Sequence, residues 1–586
     1  MGVWRVYCVD VMSVEYQAFA FNELTSLPRS AEDIATEPLV VLPEVPRSLL
    51  RRILDHMTPA ERAFALQNRL VPIAWLPHLT LYADAAPSHG WRAHGSSALT
   101  SQIVARIKPE LFHSEVRRFL SSKLTEEATD GLRQHAPIFS AHHRFSPAQV
   151  FVALLLVITL AAAYWLLPAS VSTIAIGFGF TLLFWSMTWL RLLALNEAPA
   201  ATRDSAELDD RKLPIYSVLV PAFRETRVLP QLIAALCTLD YPREKLDIKL
   251  VLEETDTAMQ RAVAGMEIPA FIEVLIVPSG KPQTKPRALN YALQFARGSL
   301  LTIYDAEDIP EPMQLRAAAR AFATAPGSLA CLQAELAFYN PNENWLTRQF
   351  AIEYAVLFKL LLPALAKYQL PLPLGGTSNH FRIGALRLVG GWDPFNMTED
   401  ADLGFRLARF GFESGSLGSI TYEEANTEFR NWLHQRSRWL KGFLQTWLVH
   451  MRNPIGVIDE MGFSGLLVLQ ATVLGIFLSA LLQPVFFIFT ALTLYHDVTA
   501  PDSQGISLFL LNGFFIGNML VGGGISILCG ARAARRKGLA GFGVTLATMP
   551  FYWLMATIAG WMAVWQFIVR PFHWNKTQHG LSSLMR

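Results

Sequence analysis

Asp305-Ala306-Glu307-Asp308 closes a short apolar run, Leu300–Tyr304. Carboxylates two residues apart at an extended strand end point the same way. Asp305 and Glu307 can therefore face one ion, with Asp308 beside them. Magnesium and manganese take oxygen ligands and keep positions open for phosphate oxygens, so the pair suits a Mg2+ or Mn2+ ion that neutralises a diphosphate. Taken alone, the same residues are an acidic turn before Pro310-Glu311-Pro312. Far downstream stands Thr398-Glu399-Asp400. An ionised carboxylate there can accept a hydroxyl proton as a new bond forms, although Asp400 also suits a cap for a helix over 401–410. Then comes Gln435-Arg436-Ser437-Arg438-Trp439. On a helix, Gln435 and Arg438 share a face and Trp439 lies beside them. A guanidinium pairs with phosphate, and an indole stacks on the apolar face of a sugar. Trp432, Trp439, Lys441 and Trp447 would equally suit a helix anchored at a membrane surface, and both readings can hold. Together these residue types fit the transfer of a group from a nucleoside diphosphate to a hydroxyl.

Such groups must be brought together by a scaffold. Tyr216–Val220, Ile248–Leu252, Ile272–Val277 and Leu300–Tyr304 are short apolar runs, and helical spacing over 228–239 and 285–296 alternates with them. That alternation predicts a mostly parallel sheet covered on both faces, with ligands at the carboxyl ends of its strands. Pro221, Glu253 and Asp305 sit at such ends. Gly390-Gly391-Trp392-Asp393 suits a tight turn that lets backbone approach a site.

The stretch from Tyr216 to about Asn453 resembles the family 2 glycosyltransferases, in particular the processive membrane branch of cellulose, chitin and hyaluronan synthases. The resemblance implies a GT-A-like α/β domain. It implies that Asp305-Ala306-Glu307 occupies the metal motif, with Glu in place of a second Asp, and that Asp400 is the general base with Glu399 next to it. Glu253, in Leu252-Glu253-Glu254-Thr255-Asp256, falls where the family contacts the base. Pro221 to Glu225 resembles the loop against the nucleotide, and Lys285 the lysine that approaches the diphosphate, although a solvated lysine at a helix start reads the same way. Arg438 corresponds to the diphosphate contact, and Gln435 and Trp439 to the acceptor end. Gly376 and Thr377, within Gly375-Gly376-Thr377-Ser378-Asn379, resemble the acceptor-pocket loop, and Gln333 is placed beside it. The activity implied is that of an inverting hexosyltransferase that moves sugar from a nucleotide-sugar, UDP-linked, onto a β-linked polysaccharide and passes the polymer across the membrane. A single transfer to a lipid carrier, or a non-catalytic nucleotide-binding scaffold, are the rival readings.

The bulk numbers set the surroundings. Charged residues are only 17% and hydrophobic ones 52%, less charge than a soluble chain of this size carries. The deficit falls in blocks. Val150–Leu167 and Ile174–Leu195 read as a transmembrane hairpin, with a pair of buried core helices as the alternative. Gly462–Tyr495, Ile506–Cys529 and Gly541–Val569 follow. The cationic loop from Ala531 to Lys537 should face the cytosol. That leaves the number of late spans open, and a last segment that re-enters near Pro550 keeps both its ends inside. The expected division is 1–145, a small cytosolic α+β domain without a signal peptide; 148–196, the hairpin; 214–453, the catalytic domain; 461–570, the second membrane region; and 571–586, a tail. The Arg570 to Gly580 stretch resembles a segment of bacterial members near the cytosolic mouth, with a plain surface tail as the alternative. A net charge of +2 gives no field for nucleic acid, and Cys8, Cys237, Cys331 and Cys529 show no metal spacing. Helical spacing marks 48–67, with a restart at Pro59, and 103–133, with a break at Pro109. Residues 1–145 weakly resemble domains of secretion ATPases and membrane glycosyltransferases, some of which bind a cyclic dinucleotide, and passive docking is the other reading. The setting implied is a bacterial-type inner membrane with the catalytic domain in the cytosol, and partners are the nucleotide-sugar, the glycan acceptor and the bilayer.

Overall fold

The structure, a computed structural model, describes residues 40–42, 47–76, 79–84, 103–107, 112–166, 169–196, 209–499, 506–539, 541–574 and 576–583. The opening stretch 1–22, most of the 198–213 linker and the hairpin turn at Pro168 lie outside the described residues. The chain divides into two compact units: residues 1–127 with 291–297, and 128–290 with 298–586.

The first unit holds a four-stranded sheet, β1 (Val40–Leu42), β2 (Leu70–Leu76), β3 (Leu79–Asp84) and β4 (Ile103–Ile107), in the order β1-β4-β3-β2. Helix α1 (Arg47–His56) buries Leu50, Ile53 and Leu54. The expected break at Pro59 is there. Thr58 caps α2 (Pro59–Gln67) through a capping box with Glu61, which satisfies donors that the first helical turn leaves open. One expectation is corrected: the 103–133 stretch is not helical throughout. Ile103–Ile107 pairs in parallel with both β1 and β3, because β-branched Ile103, Val104 and Ile107 suit a pleated strand. Helical backbone starts at Phe112, past Pro109.

The second unit is built on an eight-stranded sheet in the order β7 (Ile272–Val277), β6 (Leu246–Glu253), β5 (Tyr216–Ala222), β8 (Leu300–Ile303), β11 (Asn379–Arg382), β10 (Leu329–Phe338), β12 (Glu413–Glu423) and β9 (Ile309–Pro310). Strands β5, β6, β7 and β8 are the four apolar runs of the sequence, and they pair in parallel. All eight residues of β6 are buried, as a strand covered on both faces requires. The rest of the sheet is mixed. β9 and β11 pair antiparallel with their neighbours, while β10 and β12 pair in parallel. Helix α3 (Glu399–Arg409) lies before β12, and α4 (Phe429–His450) follows it. The α/β fold class predicted from the alternating pattern is the one observed.

Helix α4 carries the Gln435–Trp439 motif against the rest of the site. Gln445 Oε1 accepts from the Met397 N–H at 3.0 Å, and Asn396 donates to Thr446 at 3.0 Å. Gly442 permits that approach: a Cβ there would lie 2.5 Å from the Thr398 backbone nitrogen. Any other residue would push α4 away from the Thr398–Asp400 turn.

Among the described residues, four helical runs are long and apolar enough to cross a membrane: Trp345–Lys367, Pro454–Val485, Ile516–Arg536 and Met549–Val569. The first was not expected. More than half of its apolar window (56%) is buried in protein, and a helix buried all round reads as apolar all round. The helix Pro147–Leu166 exposes Phe151, Val152, Leu154, Leu155, Leu156 and Val157 in one run, a surface far larger than water-soluble proteins show. The 462–495 block is one helical run with a kink at Gly462. The last block is broken beside Pro550, as expected: a short helix, Gly543–Ala547, ends at Thr548, and there the Met549–Val569 helix begins with Pro550 in its first turn. This helix lies along α4: Tyr552 meets Trp432 and Arg436, and Gln566 meets Ser437. Its start is tied to the Trp345–Lys367 run by Trp345 and Gln349 on Thr548, and its end to Arg144, which donates to the Ile568 carbonyl.

Candidate active site

The carboxyl ends of β5, β6 and β8 open into a cavity of about 1070 Å3. Pro221, Glu225, Glu253, Asp305 and Glu307 line it from the sheet, and Glu399 and Asp400 from the start of α3. Gln435, Arg438 and Trp439 line it from α4, Lys285 from the start of the helix Lys285–Leu293, and Gly376 and Thr377 from the loop before β11. Residues far apart in the chain thus share one chamber.

The Asp305–Asp308 turn is held from within. The Asp305 N–H donates to Asp308 Oδ2 at 2.7 Å, and the Thr377 hydroxyl also bonds that carboxylate. Asp308 is buried and organises the turn. Asp305 itself forms an ion pair with Lys285, whose ammonium also donates to the Gly376 carbonyl at 2.8 Å. Lys285 therefore joins the acidic turn to the Gly376–Thr377 loop, and Gly376 in turn lies against Asp400: a Cβ there would sit 3.3 Å from Asp400 Oδ2. Glu307 leads elsewhere, with an oxygen 3.1 Å from His579 Nδ1. Glu225 pairs with Lys576 at 2.7 Å. Among the described residues, Glu225, Glu307 and His579 form a group able to hold a metal ion, their ligand atoms all within 4.8 Å of one another. The sequence pointed to Asp305 with Glu307. The structure keeps Glu307, sets Asp305 on Lys285, and brings in Glu225 and His579.

The electrostatics of this end favour a cation. Burial and the Asp305 charge raise the Glu307 carboxyl to about 7. Burial, then the neighbouring carboxylates, lifts Asp308 and Glu423 well above the usual range. Burial and then Glu307 raise Glu225. Burial keeps His579 below its ordinary value, in the neutral form that ligates metal. Two carboxylates and a neutral imidazole in this crowd fit a divalent ion such as Mn2+ or Mg2+.

At the other end, burial raises Asp400 to about 6. Burial and then the Asp400 charge raise Glu399 to about 8. Burial thus holds both neighbouring carboxyls above the usual carboxylate range, Glu399 further than Asp400. Asp400 is not the helix cap. Thr398 occupies that position, and Asp400 Oδ1 accepts the Ala401 N–H at 2.7 Å. The helix start, with its positive dipole end, favours the Asp400 charge.

Arg438 brings a half-buried guanidinium to the cavity. Its Nη2 donates to the Thr577 hydroxyl at 3.3 Å and its plane lies 4.6 Å from the Trp574 ring centre, while Nε has no partner among the described residues. A half-buried cation with unspent donors is costly unless an anion meets it. Gln435 accepts from Asn426 at 2.7 Å. Trp439 stands among Phe350 and Tyr354, with the Arg436 guanidinium 4.9 Å from its ring centre. Glu253 lines the cavity and accepts from Arg287 at 2.7 Å. Gln333 is a correction. Its buried amide donates to the Ala334 and Thr377 carbonyls and accepts from the Gly375 N–H. It braces the Gly375–Thr377 loop from behind instead of facing the acceptor.

Sequence reasoning missed three parts. Arg436, between two motif residues, makes a two-pronged pair with Glu353 at 2.6 Å on each arm. Glu423, at the end of β12, enters the acidic chamber. Trp574, Lys576, Thr577 and His579, in the Arg570 to Gly580 stretch that was singled out without a site role, form a wall of the cavity. That mixture of basic, aromatic and hydroxyl residues after a membrane-type helix was the available signal.

Residues 214–442 match the model of a family described as "Glycosyltransferase like family 2". The match covers the sheet domain and runs into α4 as far as Gly442. The chain is 26% identical over 299 residues to a beta-monoglucosyldiacylglycerol synthase of Synechocystis, covering 49% of this chain and 60% of that protein. It is 26% identical over 251 residues to a probable glucomannan 4-beta-mannosyltransferase of Arabidopsis thaliana, covering 41% and 45%. The chain thus spans about half the length of these relatives. A solved structure of a mannosyltransferase from Pyrobaculum calidifontis, in complex with GDP-Man and Mn2+, is similar at 17% identity with a TM-score of 0.40, covering 70% of this chain and 97% of that one.

Proposed function

We propose that the protein is a membrane-integrated, inverting, metal-dependent hexosyltransferase with its catalytic domain on the cytosolic side of a bacterial-type inner membrane. One observation carries this reading: Asp305 and Asp400 line the same cavity, joined through Lys285 and the Gly376 loop. Pro221 and Glu253 receive the nucleotide. Lys285 and Arg438 face its diphosphate as fixed cations. A Mg2+ or Mn2+ ion at Glu307, with Glu225, His579 and Asp305 around it, would supply charge neutralisation for the leaving group. Asp400 takes the proton from the acceptor hydroxyl as its oxygen bonds to the anomeric carbon. The carbon–diphosphate bond breaks on the opposite face, which inverts the configuration. Trp439 offers the acceptor sugar a flat apolar surface.

The donor is a nucleotide-sugar, UDP-linked in this reading, and the acceptor a growing β-linked polysaccharide that leaves through the membrane helices. A lipid acceptor is the second reading. Leu357, Leu361, Phe443 and Ile476 give the cavity an apolar wall, and one relative is named for a glycolipid. The cyclic dinucleotide expected at residues 1–145 gains no support from the family match, which begins at residue 214. The test is to incubate purified protein with a panel of radiolabelled nucleotide-sugars, with and without Mn2+, and to analyse product length and linkage. Transfer only with the metal supports the reading. No transfer from any donor overturns it, and one-sugar lipid products move the acceptor to the second reading.

A further inference from the structure

The segment after the Met549–Val569 helix is pinned at both ends. At its start, Lys441 donates to the His573 carbonyl at 2.8 Å and Gln445 to that of Pro571 at 3.3 Å. At its far end, the backbone N–H groups of Gly580, Leu581 and Ser582 all donate to the Glu424 carboxylate, the last two at 2.8 and 2.6 Å. Glu343 takes the Ser583 N–H at 2.8 Å and the Ser582 hydroxyl at 2.7 Å. Asn431 both donates to and accepts from the Gln578 backbone. Burial works against the Glu343 charge, yet these bonds and one from Asn340 outweigh it and hold the carboxyl at about 2. Gly580 has a φ of 76°, a conformation that a side chain disfavours.

Glu424, Glu343 and Asn431 do not line the cavity, whereas the residues strung between the anchors do. Lys576 reaches Glu225, His579 reaches Glu307, and Trp574 and Thr577 flank Arg438. Successive backbone donors on one carboxylate make a strong, directional clamp, and this clamp sits where it fixes side chains at the acidic end of the chamber.

We propose that Glu424 and Glu343 are positioning residues: they latch segment 571–583 as a strap and so present Lys576, Thr577 and His579 to the nucleoside-diphosphate end of the cavity. The inference rests on the function proposed above. Glu424→Gln replaces one acceptor oxygen with an amide that cannot take an N–H. It raises the donor KM about tenfold, as loss of charge-assisted bonds would, and leaves the acceptor KM within about twofold. Gly580→Ala strains the same clamp through the backbone and shifts the donor KM in the same direction. Placed in a Lys576→Met/His579→Gln background, Glu424→Gln adds less than about twofold, because the latch acts through those side chains. Binding of UDP or GDP with Mn2+ to the full chain, read by calorimetry, gives the same ranking without turnover. An unchanged donor KM in Glu424→Gln, or an undiminished effect in the double-variant background, overturns the latch. If Glu424→Gln does not fold, Gly580→Ala decides by the same criterion. Wild-type protein that turns over no nucleotide-sugar refutes the function itself. Active wild type with an equally active Glu424→Gln refutes only the latch.

Discussion

Asp400→Asn separates the catalytic from the structural role of this carboxylate, because the two consequences have opposite signs. The amide keeps the shape of the side chain and the oxygen that accepts the Ala401 N–H, but cannot take a proton from the acceptor. Removing a general base costs about 10^2 to 10^4 in rate. Stability moves the other way. The folded protein raises this carboxyl from 3.8 to about 6, so the folded state holds the proton more tightly than the unfolded one. Stability therefore falls as pH rises from the unfolded pKa through about 6, and the loss is complete at neutral pH. That shift corresponds to about 1–3 kcal/mol, which asparagine does not incur. Relief extends to Glu399, since the Asp400 charge is the second cause of its raised affinity. The expected result at pH 7.5 is a variant at least as stable as wild type in thermal melts, yet slower by two orders of magnitude or more. Wild-type kcat/KM should also rise with pH through about 6 as Asp400 ionises, and that limb should vanish from the residual activity of the variant. Activity within tenfold of wild type would refute the base assignment. Joint loss of stability and activity would mean that the carboxylate holds the fold.

Three further outcomes follow from the geometry. Glu307→Gln removes a carboxylate from the Glu225–Glu307–His579 group and should raise the Mn2+ concentration needed for half-maximal activity by about tenfold or more, read by metal titration after chelation. Trp439→Ala should raise the acceptor KM with little change in donor KM, since stacked aromatic contacts are worth about 1 kcal/mol; equal effects on both would place the indole elsewhere. Gly442→Ala puts a Cβ 2.5 Å from the Thr398 nitrogen, so the melting temperature should drop by the equivalent of about 1–3 kcal/mol, and activity should fall with it as the base turn shifts.

The parallel half of the sheet was legible because its strands are buried on both faces and so read as unbroken apolar runs, Leu246–Glu253 being the clearest. Strand β12 was not. Glu413-Ser414-Gly415-Ser416 carries no apolar pattern, and its pairing with β10 comes from the tertiary fold. Ile103–Ile107 failed as a helix because five residues are too few to tell period 2 from period 3.6. Most site residues were legible because their chemistry is specific to residue type: Asp305, Asp400, Arg438 and Trp439 all reach the cavity. Gln333 misled, since a buried amide that satisfies backbone groups looks, in sequence, like one that faces a ligand. His579 was hidden for a different reason. Its partner Glu307 lies far back in the chain, and no local spacing signals that meeting.

The most direct test of the central claim is a structure solved with a non-hydrolysable nucleotide-sugar and Mn2+. The account predicts one bound donor: its diphosphate between Lys285 and Arg438, the metal at Glu307, and the anomeric carbon facing Asp400. A donor seated outside this cavity, or one whose anomeric carbon is walled off from Asp400, would contradict it.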